Sequence, residues 1–141
     1  MTDYLLDTNV VSEWVRPRPD PHVVDWLATV DEDRVFLSVI TLAELRRGVQ
    51  RLDRGRRRQQ LADWLSEALP ARFDGRLVQV DARIADRWGR LMAEAEENGR
   101  PLGAMDGFFA ATADAMGLTL VTRNEKDLDG RGVRILNPWT P

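Results

Sequence analysis

The sequence contains no cysteine among its 141 residues, and it contains a single histidine, His22. The absence of cysteine excludes disulfide bonds and metal sites built from thiolates. Any metal site must therefore rely mainly on oxygen ligands, which are the donors that Mg²⁺ and Mn²⁺ prefer. His22 follows Pro21 in a polar turn without a neighbouring nucleophile, so we interpret it as a surface residue rather than as part of a Ser-His-Asp site.

Long hydrophobic runs are also absent, and the first residues carry acids where a secretion signal needs basic residues. We therefore expect no membrane association and a cytoplasmic location. Lysine is nearly absent, since Lys126 is the single lysine among 20 basic residues, and the net charge is -3. A protein that binds nucleic acid by charge alone has an overall basic excess, which this chain lacks. A nucleic-acid partner can therefore be inferred here only from a local concentration of basic residues.

What is present is an ordinary globular composition, with 43% hydrophobic and 30% charged residues. A chain of this length is long enough to bury one sizeable hydrophobic core. We therefore expect a single domain over residues 1–141.

Short apolar runs alternate with helical patterns along the chain. Strands are predicted at residues 4–6, 35–37, 77–80, 118–121 and 133–136. Helices are predicted between them, among them residues 41–52, residues 59–69 ended by Pro70, and the clearest one from Ala82 to a C-cap at Asn98. Parallel neighbouring strands need crossover connections, so this alternation predicts an α/β fold with a parallel sheet wrapped by helices.

Polar residues cluster where the predicted strands end, which is where open parallel sheets bind their ligands. Across these strand ends and the start of one helix, the candidates are Asp7, Thr8, Asn9, Ser38, Glu44, Asp106, Thr122, Asn124 and Asp127. An acid placed directly after a buried strand, as Asp7 is, is costly to desolvate. That cost favours a compensating cation beside Asp7.

Two of the acids also have structural explanations. Thr41 and Glu44 have the spacing of a capping box, in which the acid bonds back to the start of its own helix. Asp106 opens a predicted helix, where a negative charge is stabilised by the helix dipole. The local pattern leaves both explanations open beside the functional one.

A basic stretch begins directly after Glu44 and contains Asp53 as its one opposing acid. Its members are Arg46, Arg47, Arg51, Arg54, Arg56, Arg57 and Arg58. A solvated helix face and a contact surface for RNA or a partner protein both explain such a stretch.

Five segments together resemble the PIN-domain ribonucleases, particularly the VapC toxins of bacterial toxin-antitoxin modules and their FitB subgroup. The segments are LDTNVVSE at 6–13, SVITLAELRRG at 38–48, DGFFAATA at 106–113, TRNEKDL at 122–128 and LNPW at 136–139. The resemblance covers essentially the whole chain. It implies a three-layer α/β/α sandwich with a mostly parallel central sheet of about five strands.

The resemblance also implies endonucleolytic cleavage of RNA that depends on Mg²⁺, for which Mn²⁺ can substitute. We hypothesise that Asp7 and Asp106 bind the metal most directly and that Glu44 binds through water or positions the attacking water. The supporting residues are then Thr8, Asn9, Ser38, Thr122, Asn124 and Asp127. Repulsion among clustered carboxylates should raise the pKa of at least one of them.

One position departs from the family pattern, because members often have a fourth acid where this chain has Asn124. The Asn124 carbonyl oxygen could complete the metal site, and so could Asp127, one helical turn further on. The sequence leaves both possibilities open.

The resemblance further implies a VapB-type antitoxin, an RNA substrate, a homodimer, and contact with DNA only through the antitoxin. Arg46 and Arg47 are candidates for contact with RNA or the antitoxin. Two other functions stay open. One is a catalytically silent PIN-like binding module, which the Asn124 departure would mark. The other is phosphoryl transfer to Asp7, as in receiver or haloacid-dehalogenase-like domains, which fits less well because Asn9 stands where the latter have a second Asp.

Overall fold

A computed structural model describes residues 1–140 of the chain. Its five strands form one sheet in the order β3-β2-β1-β4-β5. Their bounds are β1 (Tyr4–Leu6), β2 (Val35–Ser38), β3 (Leu77–Val78), β4 (Thr119–Val121) and β5 (Ile135–Leu136). All pairings among these strands are parallel, which confirms the predicted α/β class. The central strand β1 therefore has its carboxyl end flanked by those of β2 and β4.

Helices connect successive strands and cover both faces of the sheet. Their bounds are α1 (Thr8–Ser12), α2 (Pro21–Thr29), α3 (Val39–Arg51), α4 (Arg56–Asp63), α5 (Leu69–Arg72), α6 (Ala82–Glu97), α7 (Ala104–Met116) and α8 (Glu125–Leu128). Single 3-10 turns occupy Glu13–Val15 and Glu32–Arg34, and a π turn at Trp64–Ala68 joins α4 to α5. Within residues 1–140, no helix is both long and apolar enough to cross a membrane.

The core is divided between the two faces of the sheet, as a three-layer sandwich requires. Leu5 and Leu6 are adjacent in β1 and fully buried, and they point to opposite faces because side chains alternate along a strand. Leu6 packs in a cluster with residues of α1, α2 and the α4–α5 segment, whereas Leu5 packs with residues of α6 and α7. The three-layer α/β/α architecture is thereby confirmed.

The start of α3 differs from the prediction, and the difference removes the capping-box explanation of Glu44. The helix begins at Val39, and its N-cap is Ser38, whose Oγ accepts a hydrogen bond from the Ile40 N–H at 3.0 Å. Thr41 is thus already inside the helix. Glu44 has no capping role there, so its side chain is available for another one.

Pro70 does not end its helix as predicted. The chain stays helical to Arg72, because the π turn at Trp64–Ala68 changes the hydrogen-bond register just before the proline. Pro70 then occupies the first turn of α5, where its missing N–H is tolerated. The edge strands β3 and β5 are also shorter than predicted, because each pairs with a single neighbour over two residues.

Candidate active site

Asp7 ends the central strand and is the most buried of the candidate acids, with 5% of its surface exposed. Its backbone N–H donates to the Val121 carbonyl at 2.9 Å, which continues the β1–β4 pairing. Its Oδ2 accepts a hydrogen bond from the Thr122 hydroxyl at 2.7 Å and lies 3.5 Å from the Asn9 side-chain nitrogen. The β1–β4 register therefore holds the Asp7 carboxylate in one orientation.

The pKa of Asp7 is raised from 3.8 to about 6. Desolvation by burial is the largest cause, and the negative charges of Asp106 and Glu44 raise the pKa further. The hydrogen bond from Thr122 acts in the opposite direction and lowers it, because it stabilises the carboxylate. A buried carboxylate held near two other acids fits the expectation that one pKa in the cluster is raised.

Glu44 reaches the same edge of the sheet from α3. The Thr8 hydroxyl donates to Glu44 Oε1 at 2.6 Å and lies 3.2 Å from the Thr41 hydroxyl. Thr8 directly follows Asp7 and is the first residue of α1, so this hydrogen bond connects the start of α1 to Glu44 on α3. Thr41, offered by the sequence as a cap for its own helix, instead packs in the buried interior beside Thr8.

Asp106 lies in the first turn of α7 and is half-buried. The Asn124 side-chain nitrogen donates to Asp106 Oδ2 at 3.0 Å. The pKa of Asp106 is raised, first by desolvation and then by the charges of Glu44 and Asp127. Asn124 therefore contacts the third acid directly, whereas the exposed Asp127 acts on it through its charge.

Thr122 and Asn9 connect the loop that follows β4 to the loop that follows β1. The Thr122 oxygen accepts a hydrogen bond from the Asn124 N–H at 2.9 Å while its proton goes to Asp7. The Asn9 side-chain oxygen accepts from the Arg123 N–H at 3.4 Å. The loop after β4 is thereby fastened to the loop after β1.

The remaining predicted residues lie outside this bonded group. Ser38 is fully buried as the cap of α3, which gives it a structural task at the end of β2. The Arg46 side chain donates to Ser66 at 2.7 Å on the π turn, and Arg47 is exposed on α3. Among residues 1–140 neither arginine forms an ion pair with an acidic side chain.

Two residues that fix the position of Asp106 were missed at the level of sequence. The Trp88 indole N–H donates to the Ala104 carbonyl at 3.0 Å, which anchors the first turn of α7 to α6. A Cβ at Gly107 would lie 2.7 Å from Met92 Sδ and 2.9 Å from Trp88 Nε1. A glycine next to a candidate acid inside a helical segment was the available signal, because glycine is unfavourable there without a packing reason.

The metal ligands available at this site are the carboxylate oxygens of the three acids and the hydroxyl and amide oxygens beside them. Oxygen ligands of this kind fit a hard divalent cation. Within residues 1–140, no group of three or more acidic or histidine side chains is arranged so that it could hold a metal ion by itself. Mg²⁺ commonly uses one or two carboxylates together with water and phosphate oxygens, so an open arrangement suits it. Burial is the main cause of the raised pKa of Asp7 and of Asp106, and repulsion among the acids adds to it; a cation there would offset both.

The family model of the PIN domain matches residues 4–130. The chain therefore belongs to the PIN domain family. It is 38% identical to the toxin FitB of Neisseria gonorrhoeae over 96% of this chain and 97% of that protein. It is 38% identical to the VapC ribonuclease Y4jK of Sinorhizobium fredii over 97% of this chain and 98% of that protein. Within the family, the chain is thus placed with the VapC toxins, in the FitB-like subgroup.

The fold agrees with that placement. The crystal structure of FitAcB from Neisseria gonorrhoeae superposes with a TM-score of 0.92 at 38% identity, covering 98% of this chain and 99% of that chain. The family and subgroup inferred from the five segments are confirmed.

Proposed function

We propose that this chain is the toxin of a type II toxin-antitoxin pair and a metal-dependent endoribonuclease. The observation that carries the proposal is that Asp7, Glu44 and Asp106 come from three distant segments and reach one edge of the sheet, each held by a hydroxyl or amide donor. Membership of the VapC toxins, among relatives named as a toxin and as a ribonuclease, supports RNA as the substrate.

In this proposal each acid has a distinct task. Asp7 and Asp106 would hold Mg²⁺ or Mn²⁺, while hydrogen bonds from Thr122 and Asn124 keep their carboxylates oriented. When bound, the cation supplies positive charge that activates water and stabilises charge on the phosphoryl oxygens. The Thr8 hydroxyl occupies Glu44 Oε1, which leaves Oε2 to orient the attacking water and accept its proton.

An apolar groove beside the acids supports an antitoxin partner. The groove has a volume of about 280 Å³ and runs from Thr8 and Glu44 between α1, α3 and the π turn. Its apolar lining includes Leu45, Val49, Leu52, Leu61 and Trp64. A segment of a VapB-type antitoxin lying there would cover Glu44 and block access to the acids. A homodimer, a cytoplasmic location, and DNA contact through the antitoxin alone complete the proposal.

Asn124 is compatible with catalysis in this scheme. Its amide donates to Asp106 and its backbone N–H donates to Thr122, so it supports two residues of the site. That position argues for an adapted site and against a catalytically silent binding module. Phosphoryl transfer to Asp7 is the weaker alternative, because Asn9 stands where haloacid-dehalogenase-like domains have a second Asp.

The test is cleavage of total bacterial RNA by the purified full-length chain with Mg²⁺ or Mn²⁺. We expect fragments with new internal ends, loss of cleavage with a chelator, and recovery when Mg²⁺ is added back. Asp106→Asn should abolish cleavage. Asp33→Asn, an exposed acid just before β2 at the opposite edge of the sheet, is the matched control and should retain it. Undiminished cleavage by Asp106→Asn or in the presence of chelator would refute the proposal.

A further inference from the structure

The basic stretch after Glu44 is not neutralised in the folded protein. Seven arginines against Asp53 give residues 46–58 a net charge of +6 in a chain whose total is -3. Among residues 1–140, none of these seven arginines forms an ion pair with a carboxylate, whereas six arginines elsewhere do. Two of the seven have other partners, since Arg46 donates to Ser66 and Arg57 to the Val15 carbonyl. Of the other five, Arg47, Arg51, Arg54 and Arg56 are exposed and Arg58 is partly exposed.

Two of these arginines continue the helical stripe on which Glu44 lies. Arg47 and Arg51 follow Glu44 at three and seven residues on α3, so the three side chains share one side of the helix. Both arginines are exposed. The stripe extends about 10 Å along the helix from the carboxylate.

A shallow depression of about 380 Å³ prolongs the positive surface past the end of α3. Its lining residues are Gln50, Arg54, Gly55, Arg58, Gln59 and Ala62. Arginine guanidinium groups bind phosphate oxygens through paired hydrogen bonds, and glutamine amides can add single ones. The lining is therefore suited to an anionic, hydrogen-bonding chain.

We propose that Arg47 and Arg51, continued by Arg54 and Arg58, bind the backbone phosphates of the RNA on one side of the scissile bond. This inference rests on the proposed ribonuclease function and names the surface that holds its substrate. Arg47 and Arg51 lie on one side of α3, Arg54 lies in the loop that follows α3, and Arg58 lies on α4. Phosphate contacts provide affinity without reading base sequence. We refer to these four arginines as the arginine track.

RNA fits the arginine track better than an acidic peptide does. A bound peptide segment gains most of its affinity from apolar anchors, and the apolar groove runs from Glu44 along Leu45, Val49 and Leu52, beside the stripe of Arg47 and Arg51 rather than on it. The depression is instead lined by two arginines and two glutamines, beside Gly55 and Ala62. The two surfaces therefore suit different partners: the arginine track suits a polyanion such as RNA, and the apolar groove suits an apolar peptide segment.

The test compares RNA binding by Arg47→Gln and Arg51→Gln, singly and together, with Arg134→Gln. Arg134 is an exposed arginine just before β5, at the opposite edge of the sheet, and forms no ion pair among residues 1–140. The probe is a fluorescein-labelled single-stranded RNA of mixed sequence, followed by anisotropy over a range of salt concentrations. Cleavage by the same proteins is measured in parallel.

We expect the double variant to bind about tenfold more weakly at low salt. The slope of log affinity against log salt should fall in magnitude by about 0.7 for each lost phosphate contact. KM should rise while kcat stays near that of the parent, and Arg134→Gln should match the parent throughout. Circular dichroism melts check that the exposed substitutions leave the fold intact.

Unchanged affinity and salt slope in the double variant, with a parent that cleaves RNA, would overturn the arginine track and leave the proposed function standing. An oligoglutamate peptide is measured in the same anisotropy assay: weaker peptide binding by the double variant than by the parent, with unchanged RNA binding, would overturn the arginine track equally, in favour of a protein partner. A parent that binds the probe through the track but cleaves no RNA would instead refute the proposed function.

Discussion

The Thr122 hydroxyl donates a hydrogen bond to the Asp7 carboxylate at 2.7 Å although 115 positions separate the two residues. The contact exists because β1 and β4 are neighbours, with Leu6 opposite Val121, so that the next residue of each strand meets at the carboxyl edge. The bond is buried and lowers a pKa that burial otherwise raises. Thr122 is therefore the main protein group that keeps Asp7 ionised.

Replacing this donor should weaken activity in a way that depends on pH. In Thr122→Val the carboxylate loses a stabilising hydrogen bond, so the pKa of Asp7 should rise above its value of about 6. Cleavage at neutral pH should fall about tenfold, and the acid limb of the pH-rate profile should move to higher pH. Thr122→Ser keeps the hydroxyl and should behave like the parent. An acid limb that stays in place in Thr122→Val would contradict this role.

Removing the Asp7 charge should stabilise the protein in the absence of metal. The pKa is raised on folding from 3.8 to about 6, so the folded state holds the proton more tightly than the unfolded chain does. The stabilising contribution of the proton is complete below 3.8 and is lost as pH rises through about 6. At pH 7 to 8, Asp7→Asn should therefore be more stable by about 1 to 3 kcal/mol, while the difference should vanish in acid.

Denaturant unfolding in chelator, repeated across pH, measures this difference. Asp33→Asn serves as the control for losing an exposed acid near the other edge of the sheet. Added Mg²⁺ should raise the stability of the parent more than that of Asp7→Asn, because a ligand stabilises the state it binds. Equal stability of parent and Asp7→Asn at pH 8 would show that burial does not penalise this carboxylate.

Substituting Asn124 tests whether this position, where family members often have a fourth acid, can bind the metal. In Asn124→Asp a second carboxylate replaces the donor to Asp106 Oδ2, so the pKa of Asp106 should rise further and the metal-free protein should lose about 1 to 2 kcal/mol of stability at neutral pH. Mg²⁺ and Mn²⁺ should bind more tightly, as calorimetry can measure. Asn124→Leu loses the same donor without adding charge and should gain no affinity. Equal metal binding by Asn124→Asp and the parent would exclude this position as a metal ligand.

Gly107 should be intolerant of even one methyl group. Its added Cβ would meet Met92 Sδ at 2.7 Å and Trp88 Nε1 at 2.9 Å, so both side chains would have to shift, and Trp88 would be pushed from the position in which it anchors the first turn of α7, where Asp106 lies. We expect Gly107→Ala to cost about 1 to 3 kcal/mol in unfolding free energy and to reduce cleavage. Gly89→Ala, in open space on α6, should instead stabilise by up to about 1 kcal/mol. Similar thermal melts for the two variants would count against this packing constraint.

Much of the site was predictable because its residues follow local rules. Asp7 comes directly after an apolar run, and Asp106 lies in the first turn of a helix, so strand and helix patterns alone placed both at element ends. Segment resemblance then predicted that Glu44 belongs with them. The bounds of the helices were harder to predict from the sequence. The start of α3 at Val39 depends on a single hydrogen bond to Ser38, and the continuation of the helix through Pro70 into α5 depends on the π turn before it.

Hydrophobic periodicity and turn chemistry are local properties of the chain, so they are enough to place oxygen-bearing residues at the ends of parallel strands. Which donor each acid receives is visible in the folded protein alone: Thr122 for Asp7, Thr8 for Glu44 and Asn124 for Asp106. Those pairings depend on strand order and on the packing of α3 and α7 against the sheet. Hydrogen bonds of this kind form between residues that are close in space, and a linear pattern carries no distances between its segments.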